Sequence, residues 1–447
     1  MIVAYSDIAC KDKKERVFLP NLVLFMLLVF LRNAFDVPVP TEVLLIVYIM
    51  PIFYGSDDDL LALIVSCVPL YVSFQYRYAL LILCVALLYR RRFKIAHVQV
   101  FFLVACIMIW ELFHAYVDTF SFFEYLQGFS ELITLAVVIG TIKNDFDYPF
   151  VFRTLALASV AICAIVLFLQ VQKLDFSLLI FFEDAARFGG NNTEFENFGL
   201  NYNENSLGHI CNMVIITQTI LMLNRKYKLL DLVLLIFAVI FGIMTISRTF
   251  LICLAINVLI VFVALSKKKK GKHTISTVLA LLIVVAAVVV TLKIVAPEFV
   301  EKFFGRFQES DISGGRIALL EFYHRHIWSS FKYFFFGIGL QNYRDKIEGI
   351  YGNGINVCHN GIQEIAVVWG VVGIILFVAL LICVLSASKR ISGRKQFILF
   401  VPFIIVIVFS MAGQIVSSGS TLMCLDLAVI CLCICNEKTR GEKNYDS

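Results

Sequence analysis

The chain has 447 residues, 60% of them hydrophobic and 16% charged, where an average soluble domain carries about 45–50% apolar and 25% charged residues. That excess excludes a string of soluble domains, because a water-filled surface could not accommodate it and the apolar residues fall in blocks of about 16 to 22, the spacing of membrane spans. The net charge of +5 does not point to nucleic acid, since the Lys and Arg gather in short polar stretches where they orient a chain in a bilayer.

The first apolar stretch, 17–32, follows a basic head at 11–16, and no small-residue cleavage site comes after it, so it reads as a retained span. Further stretches follow at 41–55, 59–75, 78–89, 98–116, 128–142 and 150–170, then at 205–223, 229–246, 249–266 and 274–295, and last at 362–385, 397–416 and 419–435. These predict an all-α polytopic protein, a single membrane domain over 1–447 with about fourteen transmembrane helices. A barrel is excluded because runs such as 278–290 do not alternate. Basic clusters at 11–16, 90–94, 225–228, 267–272, 389–395 and 438–443 all fall on one side of this topology, whereas 117–127 and 414–420 on the other carry no Lys or Arg. The basic side is predicted to be cytoplasmic, and both termini with it. Most of the cysteines, Cys67, Cys163 and Cys253 among them, lie inside apolar stretches and read as small buried residues. Cys431, Cys433 and Cys435 match no zinc spacing, and no metal site is expected.

Two outer segments are long, 171–204 and 296–361, and loops beyond about 15 residues are usually functional or disordered. Both are rich in Phe, enough to pack or to lie in the interface. Within the second, Ile317, Leu320, Tyr323, Ile327, Trp328 and Phe331 recur at helical spacing, which predicts an amphipathic surface helix over 316–331 preceded by a cap and turn at 313–315.

Polar residues at the outer ends of spans carry the functional signal. Arg248 stands between two apolar runs with no room for a loop, on the side where the positive-inside bias disfavours it. Arg187 and Arg316 are further outer arginines, each beside glycines (Gly189 and Gly190; Gly314 and Gly315) that let a backbone approach a bulky anion. A guanidinium fork makes two parallel hydrogen bonds to one phosphate, so the three together suit a diphosphate. His359 stands where the second loop runs into a span; a histidine takes a proton near neutral pH, and a helix start favours anions in the same place. Asn360 joins the substrate-binding candidates, as does Glu364, which is placed to orient His359. His324 and His326 lie on the predicted surface helix and read as solvated. No nucleophile elbow, phosphate loop or zinc-protease motif occurs.

The series Ser247-Arg248, Gly315-Arg316, Trp328, Phe336-Gly337-Ile338-Gly339, His359-Asn360, then Gly370 and Gly373, resembles the superfamily of O-antigen ligases and O-antigen or capsule repeat-unit polymerases. The resemblance covers about the C-terminal half of the chain. It implies an all-helical glycosyltransferase of the bacterial cytoplasmic (inner) membrane, with its active site on the outer face and no cofactor. The implied donor is a glycan on undecaprenyl diphosphate. By motif, Arg248 and Arg316 would hold the diphosphate and His359 would take the acceptor's proton. A chain-length regulator and a flippase are the protein partners it suggests. Polymerase and ligase use the same donor chemistry and both readings stand. A transporter of lipid-linked glycans is the third, and it predicts charges through the midplane where the informative arginines lie at one face.

Overall fold

The computed structural model describes residues 19–114, 121–141, 147–177, 181, 187–189, 200, 202–223, 226–266, 279, 283, 286–287, 289–291, 293–305, 316–345, 358–387, 401–411 and 413–434. Among these the regular elements are all helices, as expected, and no strand occurs. The chain forms two compact units, Met1–Arg90 with Asp145–Arg306 and Arg91–Asn144 with Phe307–Ser447.

The first unit opens with α1 (Leu19–Ala34), α2 (Thr41–Ile49), α3 (Asp57–Leu70) and α4 (Tyr76–Arg90). The chain then gives α5 (Val98–Leu112), α6 (Phe122–Gly128) and α7 (Ser130–Thr141) to the second unit. It returns to the first with α8 (Tyr148–Lys173), α9 (Glu204–Leu223), α10 (Leu229–Met244), α11 (Arg248–Ser266) and α12 (Pro297–Gly305). The second unit is completed by α13 (Arg316–Ile327), α14 (Phe331–Phe336), α15 (Leu340–Asp345), α16 (Gly361–Ala387), α17 (Val401–Met411) and α18 (Gly419–Ile434).

Helices stand at the predicted spans, and the stretch 274–295 lies largely outside the described residues. Among the described residues two helices, Tyr148–Lys173 and Gly361–Ser386, are long and apolar enough to cross a membrane, and α6 with α7 makes a third if that pair, bent by 58°, is one span. The apolar helices Leu19–Ala34, Val98–Leu112, Leu229–Met244 and Val401–Met411 are shorter than the roughly 20 residues of a full crossing. Val85 of α4, Phe102 and Ile109 of α5, and Ile375 and Ile382 of α16 turn exposed side chains outward. Such faces are those that lipid covers.

Local chemistry fixes the helix starts. Asp57, Asp58 and Asp59, the acidic triplet, form the first turn of α3, where the helix dipole favours them; Ser56 and Asp59 close a capping box, the Asp59 amide donating to Ser56 Oγ at 3.3 Å. In the first unit the Arg153 guanidinium makes a two-pronged ion pair with the fully buried Asp231, Nε to Oδ1 at 2.9 Å and Nη2 to Oδ2 at 3.0 Å, tying α8 to α10.

The second unit is organised by a break in α16. Gly370 has φ 64° and ψ −164°, a conformation that is essentially glycine's alone. A break in a helix leaves carbonyls without their intrahelical donors. Here those of Val367 and Val368 accept from the Ile338 and Gly339 amides at 2.9 and 2.8 Å. The loop backbone comes so close that a Cβ on Gly337 would lie 2.5 Å from the Val368 oxygen. At 1.5 Å per residue, Val367–Gly370 lies about 9–14 Å along α16 from its start. The glycine-rich segment 337–339 is therefore held against the middle of the helix. Glu111 of α5, 2% exposed, locks the arrangement: its carboxylate accepts the Leu340 amide at 2.8 Å and the Trp369 indole N–H at 2.7 Å.

Candidate functional site

In the first unit the candidate arginines gather at the α10–α11 turn. Thr245, at the end of α10, turns its hydroxyl back onto the Gly242 carbonyl at 2.6 Å, and Ile246 is held at φ 48°, strained for a β-branched residue. Ser247 then caps α11, its oxygen accepting the Phe250 amide at 3.3 Å, which places Arg248 at the helix's first position. Asn205, at the start of α9, accepts the Ser247 hydroxyl at 2.7 Å. Gly208 lets α9 approach: a Cβ there would stand 3.0 Å from Phe250 Cβ and 3.3 Å from Thr245 Oγ1. The Arg187 segment docks on the same turn. The Phe188 amide donates to the Met244 carbonyl at 3.1 Å, and the buried Phe188 ring stacks on Phe241 at 5.5 Å. Arg187 itself forms an ion pair with Glu204 of α9. Gly189 takes φ 77°, and a Cβ there would collide with Leu207 at 2.3 Å. Gly190 lies outside the described residues.

In the second unit α13 starts at Arg316, as expected, while its predicted cap and turn at 313–315 lie outside the described residues. The predicted helix over 316–331 is corrected to two. It stops at Ile327, and Ser330 starts α14 by accepting the Tyr333 amide at 3.2 Å, because a serine cap competes with continuation of the helix. Only Tyr323 of the apolar series is buried; Ile317, Leu320, Trp328 and Phe331 are exposed. His326 packs on Phe322 and Tyr333, and His324 lies against Trp328.

His359 is half-buried just before α16 and is pinned by both neighbours. The Cys358 amide donates to the Tyr343 hydroxyl at 2.6 Å. Burial pushes the Cys358 thiol up to about 12, which leaves it inert beside the histidine. Asn360 is the α16 cap, its side-chain oxygen accepting the Ile362 and Gln363 amides at 3.1 and 3.0 Å while Nδ2 donates to the Met411 carbonyl at 3.4 Å. Gln363 joins α16 to α13, donating to the Leu320 carbonyl at 2.6 Å. Burial, and then the positive charge of Arg316, hold His359 below the ordinary histidine range. The imidazole is thus kept neutral, the form that accepts a proton.

Glu364 does not orient His359. Its carboxylate is fully buried and turned to the α17–α18 loop, accepting the Ile415, Val416 and Ser417 amides at 2.6, 2.8 and 3.2 Å and the Ser417 hydroxyl. The structure thus brings Arg316, His359, Asn360 and Glu364 together in one unit and Arg187 and Arg248 together in the other. Sequence reasoning missed Glu111, Tyr343, Gln363 and the 415–417 loop. Glu111 had a legible signal, a lone carboxylate inside an apolar stretch; the other three had none, because their roles depend on distant backbone partners.

A search of curated proteins found no match to the chain. Residues 233–378, from within α10 to within α16 and including Arg248, Arg316, His359 and Glu364, match the family model described as O-antigen ligase. That match, over about a third of the chain, supports the resemblance of this stretch to the O-antigen ligase and polymerase superfamily of membrane proteins.

Proposed function

We propose that the chain is a polysaccharide polymerase of the bacterial cytoplasmic membrane, with about fourteen spans, cytoplasmic termini and an outer active site. It transfers O-antigen, capsule or exopolysaccharide glycan from an undecaprenyl-diphosphate donor to a sugar hydroxyl of a lipid-linked repeat unit. The observation that carries this reading is a half-buried His359 at the start of α16 that feels the positive charge of Arg316. A base and a cation acting on one centre are what a single displacement from a diphosphate needs. The acceptor oxygen forms a bond to the anomeric carbon as the bond from that carbon to the diphosphate oxygen breaks. The electron pair leaves with undecaprenyl diphosphate, the acceptor's proton goes to the imidazole, and the anomeric centre inverts. Arg316 is assigned to the growing negative charge, with no metal in the step, and Arg248 and Arg187 are diphosphate-binding candidates by residue type and motif alone.

The test is polymerisation of lipid-linked repeats by the purified protein carrying Arg316→Lys or His359→Ala. Removing a general base costs about 10²–10⁴ in rate, and a Lys point charge does not replace a guanidinium fork. Full activity in both variants would refute the assignment. The matched family's description as a ligase favours a second reading, transfer of finished glycan to a different acceptor. A strain lacking the protein separates the two: single capped repeats mark a polymerase, and intact lipid-linked polymer that never reaches its acceptor marks a ligase.

A further inference from the structure

We propose that the loop joining α17 to α18, residues 413–418, is the acceptor-sugar subsite, with Glu364 as the positioning residue that sets it beside His359. The proposal rests on the glycosyl-transfer reading above. Three contacts fix the loop against the start of α16. Glu364 gathers three successive backbone N–H groups and the Ser417 hydroxyl. Asn360 donates to the carbonyl of Met411, the last residue of α17. Gly361 leaves room for Ile415, since a Cβ there would lie 3.0 Å from Ile415 Cβ and 3.1 Å from the Ser410 oxygen. The two residues that follow His359 therefore lie against the end of α17 and the loop that follows it, Asn360 on Met411 and Gly361 on Ile415.

The groups gathered at the start of α16 differ in charge. Arg316, whose positive charge acts on His359, is a cation suited to a diphosphate. The loop held by Glu364 offers Gln414, Ser417 and Ser418, half-buried and uncharged. An acceptor sugar is a neutral polyol, recognised by amides and hydroxyls that give and take hydrogen bonds in fixed directions. Such recognition requires a rigid backbone, and the carboxylate supplies it. Its two oxygens take four donors at once, whereas an amide in the same place would offer one acceptor oxygen and bring an N–H₂ against backbone N–H groups. Ser418 meanwhile starts α18, accepting the Thr421 hydroxyl at 3.1 Å on its side chain and the Thr421 amide at 3.0 Å on its carbonyl, so both ends of the loop are anchored.

The experiment uses the full-length protein in detergent and two readouts: the rate of glycan transfer with lipid-linked repeats extracted from a strain lacking the protein, and the dissociation constant of undecaprenyl diphosphate alone. Gln414→Ala, a change in a half-exposed loop, is expected to lower transfer at least tenfold while leaving undecaprenyl diphosphate binding within twofold of the wild type. Glu364→Gln is expected to do the same to a greater degree. Arg316→Lys serves as the contrast, weakening diphosphate binding itself. Wild-type transfer in Gln414→Ala would overturn the subsite, as would a parallel loss of diphosphate binding, which would assign the loop to the donor. If the wild-type protein neither binds undecaprenyl diphosphate nor transfers glycan, the glycosyl-transfer reading fails and the subsite falls with it.

Discussion

Gly370→Ala tests the architecture that holds the segment 337–339 on α16. The new methyl would meet the Phe335 oxygen at 2.3 Å, the Phe335 carbonyl carbon at 2.4 Å and the Phe336 nitrogen at 2.7 Å, all backbone atoms with no rotamer to yield. Holding a non-glycine residue at φ 64° costs about 1–3 kcal/mol in addition. If the loop moves away to relieve the contact, the amides of Ile338 and Gly339 lose the carbonyls of Val367 and Val368, at about 0.5–1.5 kcal/mol each. The sum is about 2–6 kcal/mol, and at about 2–4 °C per kcal/mol for a unit of this size the unfolding midpoint falls by roughly 4–24 °C. The assay is thermal unfolding of the detergent-solubilised chain, with transfer activity measured alongside. Gly305→Ala is the control, because a Cβ there meets nothing within 4 Å, and it should change stability by less than about 0.5 kcal/mol. A Gly370→Ala protein that melts with the wild type and retains its activity would refute the reasoning.

Acidification gives a second prediction. His359 is held below the ordinary value of about 6.5, so its neutral form persists to lower pH and the transfer rate should begin to fall only below that value. Arg316→Gln removes one of the two causes and should move this acid limb of the residual rate to higher pH; a limb that stays put or moves down contradicts the electrostatic link. At the α10–α11 turn, Asn205→Ala and Ser247→Ala each remove the same hydrogen bond, and each should cost on the order of 1 kcal/mol in unfolding free energy. The double variant should cost less than the sum, and simple additivity would show that the bond does not matter.

The start of α13 at Arg316 was legible because the apolar spacing after it is helical; its end was not, because a serine cap two residues past Trp328 outweighs that spacing. Gly337, Gly339 and Gly370 stood out as glycines, yet nothing local reveals that the first two lie against the helix broken at the third, since their partners are about 30 residues away. Glu364 shows the limit of reading by proximity. Five residues from His359, it suggests an orienting carboxylate, but a helix turns that position inward and its donors come from a loop some 50 residues on. Arg187 and Arg248, 61 positions apart, were grouped by residue type and adjoining glycines. The structure adds the reason: the Phe188 amide hangs on the residue that ends α10.

The ion pair between Arg187 and Glu204 would set a competitor inside the protein against any anion that binds this guanidinium. On the proposed function, a phosphate arriving at this guanidinium would exchange with a carboxylate, so its hold would be the difference between two pairings, and Glu204 would re-pair with Arg187 when the lipid carrier leaves. An enzyme that must let go of a product carrying more charge than its substrate gains from such an exchange, because tight retention of the freed diphosphate would stall every subsequent cycle.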